Sequence, residues 1–106
     1  VEIDVRTHAA ATVIVVRGEV DLYTSPKLRE AVLAAVKRKA PAVTVDLSGV
    51  GYMDSSGVAT LVEGLQLSRG HGGQFVLAGL TPGVQQVFHF ARLDKVFEIR
   101  GEAPSA

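Results

Sequence analysis

Tyr52-Met53-Asp54-Ser55-Ser56-Gly57-Val58 joins two segments of opposite period. Before it, Ala42-Val43-Thr44-Val45-Asp46-Leu47 is an apolar, β-branched run that reads as a buried strand, followed by a Ser48-Gly49-Val50-Gly51 loop. After it, from Val58 to Ser68, apolar residues recur at helical spacing: Val58, Leu61, Val62 and Leu65 form the stripe expected to be buried, and Thr60, Glu63 and Gln66 are expected to face outward. Two adjacent hydroxyls, with a carboxylate before them and a glycine after, therefore sit where a strand hands over to a helix. Such a place offers unpaired backbone N–H groups and the positive end of the helix dipole, and it stabilises an anionic group, phosphate included. Capping alone accounts for Asp54 or Ser55. It gives no role to Ser56, nor to Gly57 in a first turn, where glycine is costly.

Working outward, the same alternation repeats. Upstream, Glu2-Ile3-Asp4-Val5-Arg6 alternates like an edge strand, residues 8–11 read as a turn, and Thr12-Val13-Ile14-Val15-Val16 is apolar on both faces like a central strand. Gly18 ends that run and Glu19-Val20-Asp21-Leu22-Tyr23 forms a loop. Ser25-Pro26 marks a helix start, with serine as N-cap, and Leu28, Ala31, Val32, Ala35 and Val36 share its apolar face. Lys37-Arg38-Lys39 complements the dipole at the other end, a simpler reading than a docking patch, and Ala40-Pro41 stops the helix. Downstream, Gly70 is the expected helix C-cap, and Arg69-Gly70-His71-Gly72-Gly73 follows a helix and opens a strand, the reverse of a nucleotide-binding glycine loop. Phe75-Val76-Leu77-Ala78 reads as a buried strand. Thr81-Pro82 starts a third helix with a Val84, Val87, Phe88, Ala91 core face, and Val96-Phe97-Glu98-Ile99 as a last strand. Gly57 and Gly64 lie on one side of the central helix and are expected to let another part of the fold approach closely. Strands alternating with helices indicate βαβ crossovers, right-handed as a rule, and a mixed α/β sheet. The strand C-terminal ends share one edge, so Asp21 and Asp54 are expected to converge there.

Composition narrows the function. The 106 residues suit one domain, taken as residues 1–100 with 101–106 as a flexible tail. Eleven basic residues balance eleven acidic ones, which argues against direct nucleic-acid binding as the main task. The absence of cysteine excludes disulfides and thiolate metal sites. No apolar run approaches the roughly 20 residues a membrane-spanning helix needs, and with no secretory signal visible the chain is read as cytoplasmic, without membrane insertion. For catalysis, His8, His71 and His89 have no spacing that ties them to Ser55 or Ser56, and a Gly-x-Ser-x-Gly elbow is missing. No two histidines stand at metal-ligand spacing. No catalytic residue, metal or cofactor is expected, and the chain is read as a non-enzyme.

Asp54-Ser55-Ser56-Gly57, with Gly18-Glu19-Val20-Asp21 before it and Gly72-Gly73-Gln74-Phe75-Val76-Leu77 after it, resembles the STAS domain of bacterial anti-sigma factor antagonists, over Ile3 to Ile99. The resemblance implies a STAS fold: a mixed sheet of four to five strands with three to four helices and right-handed βα crossovers. It also implies a phosphorylation switch. Ser56 would be phosphorylated by a serine kinase that is itself the anti-sigma factor, and a serine phosphatase would reverse the step. The unphosphorylated domain would bind the kinase and release a sigma factor. Asp54 would cap the helix and orient Ser56 toward the kinase's ATP. The expected docking surface comprises Asp21, Tyr23, Thr24, Ser25, Asp54, Ser55, Ser56, Gly57 and Thr60, with Asp21 open to a simpler role capping its own turn. The alternatives are a STAS subunit that regulates a transport complex or stress-signalling scaffold, and a nucleotide-binding module.

Overall fold

In a computed structural model, which describes residues 1–8 and 11–104, five strands and three helices alternate as the sequence suggests. In chain order they are β1 (Glu2–His8), β2 (Ala11–Arg17), α1 (Ser25–Lys37), β3 (Ala42–Gly49), α2 (Ser55–Gly70), β4 (Gln74–Ala78), α3 (Pro82–Phe90) and β5 (Glu98–Arg100). The sheet order is β1-β2-β3-β4-β5. β1 and β2 pair antiparallel, and every later pair is parallel, so each of the three helices is a crossover between adjacent parallel strands. Residues 9 and 10 of the expected first turn lie outside the described residues.

The register explains the core. Thr12 aligns with Val43, Ile14 with Val45, Val43 with Phe75 and Val45 with Leu77, so one face of the sheet is a block of apolar side chains. Leu28, Val32, Ala35 and Val36 of α1, Val58, Leu61 and Leu65 of α2, and Val84 and Phe88 of α3 all close on that face, forming one buried cluster. Phe88 stacks edge-on against Phe97 at 5.5 Å. Among the described residues, the opposite face carries no helix. Val13, Val15, Thr44 and Val76 are nonetheless buried there, and Arg6, Val13, Val15, Asp46 and Ser48 line an open cleft together with Glu102, Ala103 and Pro104.

Several local expectations change. Ser25 is not the cap of α1: it is already helical, and Thr24 before it has φ −101° and ψ −21°, too helical for its side chain to reach a first-turn N–H. The cap role passes upstream to Asp21, whose carbonyl accepts the Ser25 N–H at 2.8 Å. The cap of α2 moves the other way. His71 ends the helix, Gly72 takes φ +76°, and the Gly73 N–H reaches back to the Ser68 carbonyl at 2.9 Å, so the left-handed position belongs to Gly72 rather than Gly70. α1 ends the same way with Lys39 at φ +57°, its N–H on the Val36 carbonyl at 2.8 Å. Strand β3 runs on through Ser48 and Gly49, and the last strand is displaced to Glu98–Arg100, because Phe97 turns into the core instead of joining the ladder. Ala91 is an exposed capping residue, not part of the α3 core face.

Candidate functional site

Two loops meet at the C-terminal edge of β2 and β3. Val20 and Met53 form a lone parallel bridge, with the Val20 N–H on the Tyr52 carbonyl and the Asp54 N–H on the Val20 carbonyl, both at 3.0 Å. Val20, Val50 and Met53 are buried beneath these bonds, so both loops are held by apolar anchors as well as by backbone. Asp21 and Asp54 are thereby brought to one edge, as the topology suggests.

Gly57 explains itself at this junction. A Cβ there would lie 2.7 Å from both Met53 Cγ and Val20 Cγ1. Only a glycine lets the first turn of α2 sit directly on the two loops, and this outweighs its poor helix propensity.

Asp54 is the N-cap of α2, with extended backbone at φ −98° and ψ −173°. Its Oδ1 accepts the Ser56 N–H at 2.9 Å and the Ser56 hydroxyl at 2.5 Å. The Ser56 hydroxyl is the main cause that holds the Asp54 carboxyl below its ordinary value of 3.8; N–H groups of Ser56, Gly57 and Leu22 add to it against partial desolvation. Asp54 is therefore ionised at neutral pH, and its own N–H on the Val20 carbonyl ties it to the Asp21 loop. Ser55, one residue earlier, is exposed and lies about 100° around the helix from Ser56.

Asp21 is engaged in its own turn through one carboxylate oxygen. Its Oδ1 accepts the N–H of Tyr23 at 2.9 Å and of Thr24 at 3.0 Å, and the Thr24 hydroxyl donates to the Glu19 carbonyl at 3.0 Å. This is the turn-capping role, and it fixes where Leu22 and Tyr23 project. Both are strongly exposed, at 68% and 89%, and Tyr52 on the adjoining loop is 51% exposed. Leu22 and Tyr52 belong to this surface by position, although the residue types alone did not mark them. Large apolar side chains in polar loops were the available signal.

Not every expected surface residue is on the surface. Ser25 and Thr60 are 7% and 5% exposed, and Gly57 is buried. Thr60 was expected to face outward; instead its hydroxyl turns back to the Ser56 carbonyl at 3.1 Å. These three support the surface from beneath. Tyr23, Ser55 and parts of Asp21, Thr24, Asp54 and Ser56 form it.

An open cleft of about 570 Å³ lies elsewhere, between α3 and β5, lined by Leu80, Pro82, Gln85, Phe88, His89 and Ile99 among others. It has no lysine or arginine in its lining, and His89 already faces Asp94 at 3.3 Å, so it offers little to a nucleotide phosphate. Among the described residues no three His, Asp or Glu side chains converge as metal ligands, and no helix is long and apolar enough to cross a membrane.

The family model described as "Mlab, STAS domain" matches residues 3–100. The chain belongs to the STAS domain family. This STAS domain is 33% identical, over 82% of its length and 76% of the relative's, to the anti-sigma-B factor antagonist of Listeria monocytogenes. To the anti-sigma-B factor antagonist of Bacillus subtilis it is 25% identical over 97% of its length and 94% of the relative's. The crystal structure of an anti-sigma factor antagonist from Mycobacterium paratuberculosis superposes with a TM-score of 0.86 at 30% identity, covering 93% of this chain and 84% of that one.

Proposed function

We propose that this STAS domain is an anti-sigma factor antagonist: a non-enzymatic binding module of the cytoplasm, switched by phosphorylation of Ser56. The observation that carries the proposal is the bond from Ser56 Oγ to Asp54 at 2.5 Å, beside an exposed Leu22, Tyr23 and Tyr52 surface. The family resemblance and the antagonist names of the relatives support the same role.

In the unmodified state the partner, an anti-sigma factor that is also a serine kinase, docks on the apolar side chains around the start of α2. Asp54 orients Oγ toward the γ-phosphoryl of the kinase's ATP. Transfer forms the Oγ–P bond and breaks the bond from the γ-phosphorus to the bridging oxygen, which leaves with ADP, and the hydroxyl proton that now bonds Asp54 passes to solvent. The phosphate adds about −1.5 to −2 charges at neutral pH, next to the ionised Asp54. The helix N-terminus tolerates that charge. A partner surface shaped for apolar and hydroxyl groups does not, because it would face like charge and an uncompensated desolvation cost. Binding is thereby lost without a change of fold, the partner is free to hold its sigma factor, and a serine phosphatase resets the switch.

The test is intact-mass analysis after incubation with ATP and a soluble extract of the host that expresses the kinase. One phosphate gained by the wild type and by Ser55→Ala, and none by Ser56→Ala, is the expected result. No gain by the wild type would move the proposal to a constitutive scaffold or a transport-regulating subunit.

A further inference from the structure

Among the described residues the sheet ends in two unpaired edges, β1 and β5, and they differ. β5 is three residues long and ends the sheet with the Arg100–Glu98 pair, the short, charged kind of edge that resists pairing. β1 is seven residues long, pairs continuously with β2 from Glu2 to His8, and carries no proline and no register shift. Glu2, Asp4, Val5, Arg6 and Thr7 are all exposed. Its outer row of N–H and C=O groups is a template for another strand.

The charge pattern of that template selects its occupant. Asp4 and Arg6 stand on the helix-free face, where they pair with each other at 2.8 Å, and Val5 stands on the opposite face, 43% exposed. A second β1 added antiparallel, with the two sheets continuous, keeps even residues opposite even ones. Centring the two-fold on Asp4 sets Asp4 against Asp4, and centring it on Arg6 sets Arg6 against Arg6. Centring it on Val5 sets Asp4 against Arg6 twice, Ile3 against Thr7, Glu2 against residue 8 and Val5 against Val5. That register alone aligns the whole strand without opposing two like charges, and directly opposed charges of opposite sign stabilise a strand pair. A uniformly charged edge would repel its own copy. Here the sign changes midway along the strand, which turns repulsion into attraction under a two-fold axis.

We propose that β1 is a self-association edge: two copies of this chain pair β1 to β1 about Val5 and merge their sheets into one. The interface is a single ladder, so it is weak and concentration-dependent. It lies on the edge opposite β5 and leaves the Ser56 surface of both copies free, because that surface is built at the strand ends and not along β1.

Sedimentation velocity across the micromolar to millimolar range tests this with three variants. The wild type should show a reversible monomer–dimer equilibrium. Arg6→Asp, which opposes Asp4 with a new carboxylate at two places, should weaken it by about tenfold or more. The exchange Asp4→Arg with Arg6→Asp should restore it. Val5→Lys sets two ammonium groups together on the axis and should abolish association even if Arg6→Asp perturbs the ladder with β2. In parallel, hydrogen exchange should show amides of β1 that gain protection only at high concentration. A wild type that stays monomeric throughout, a dimer that Arg6→Asp or Val5→Lys leaves unchanged, or a double exchange that fails to restore pairing would overturn the proposal.

Discussion

At the scale of single residues, Asp54 performs two tasks with one oxygen: it caps α2 through the Ser56 N–H and holds the Ser56 hydroxyl. Its carboxyl is lowered below 3.8, chiefly by that hydroxyl. The sign of the resulting pH dependence follows from linkage. A carboxyl lowered in the folded state contributes stability that is complete above its unfolded value and is lost as pH falls through the folded value. Asp54→Ala should therefore unfold at lower urea than the wild type at pH 7, with the gap narrowing toward pH 2. Asp54→Asn, which still caps, should fall between them at pH 7 and remove the acid-dependent part. Urea titrations at several pH values check this; a gap that stays constant into acid would contradict it. The Asp54 cap was legible in the sequence because an N-cap and its hydroxyl partner are two residues apart. Ser25 misled for the same reason in reverse: its N–H is satisfied by Asp21, four residues upstream through a turn, and no local pattern of serine and proline reveals that.

At the scale of elements, α2 is the piece most constrained by its neighbours. A Cβ on Gly64 would lie 2.5 Å from Val32 Cγ1 and 2.9 Å from Phe75 Cζ, which belong to the buried cluster and have no room to retreat. Two effects oppose each other in Gly64→Ala. Helix propensity favours alanine by about 1 kcal/mol, and overpacking a filled core costs about 1–3 kcal/mol. The backbone-close contacts put this site in the upper half of that range, so a net loss of about 1–2 kcal/mol is expected. That lowers the melting temperature of a domain this size by about 4–16 °C; an unchanged or raised melting temperature would show that α1 can move away from α2. The helical period of α2 and its glycine spacing were legible from the sequence, and close packing within the fold was the expectation for Gly64. The outward-facing assignment of Thr60 did not hold: the 3.6-residue period places it well outside the Val58, Leu61, Val62 and Leu65 stripe, but on the side of Gly57, Gly64 and Ser68, which is buried as well and which apolar periodicity does not mark. The start of β5 was misplaced for a related reason: Phe97 has the strand propensity of its neighbours, and its packing against the Phe75 and Phe88 rings explains why it stays outside the ladder.

At the scale of the whole molecule, topology decides what the residues can do together. The mixed α/β class and the expected convergence of Asp21 and Asp54 followed from strand and helix alternation, since parallel crossovers bring strand ends to one edge. The composition of the surface at that edge was less legible. Ser25 and Thr60 are covered, while Leu22 and Tyr52 are exposed, and the bonds that set the two loops side by side, Val20 to Tyr52 and Asp54 to Val20, are long-range. Exposed tyrosine side chains at a docking surface tend to carry its binding energy. Tyr23→Ala and Tyr52→Ala should each weaken partner binding about tenfold or more and leave the melting temperature unchanged, since neither side chain enters the core; binding isotherms and thermal scans of the same preparations distinguish this from unfolding. The central claim is that one phosphate on Ser56 closes this surface. Calorimetric titration of the host's anti-sigma factor with the unmodified domain and with the domain stoichiometrically phosphorylated on Ser56 tests it most directly. The unmodified domain should bind, and phosphorylation should weaken binding about a hundredfold or more, since opposing like charge at an interface costs several kcal/mol. Equal affinity of the two forms would contradict it.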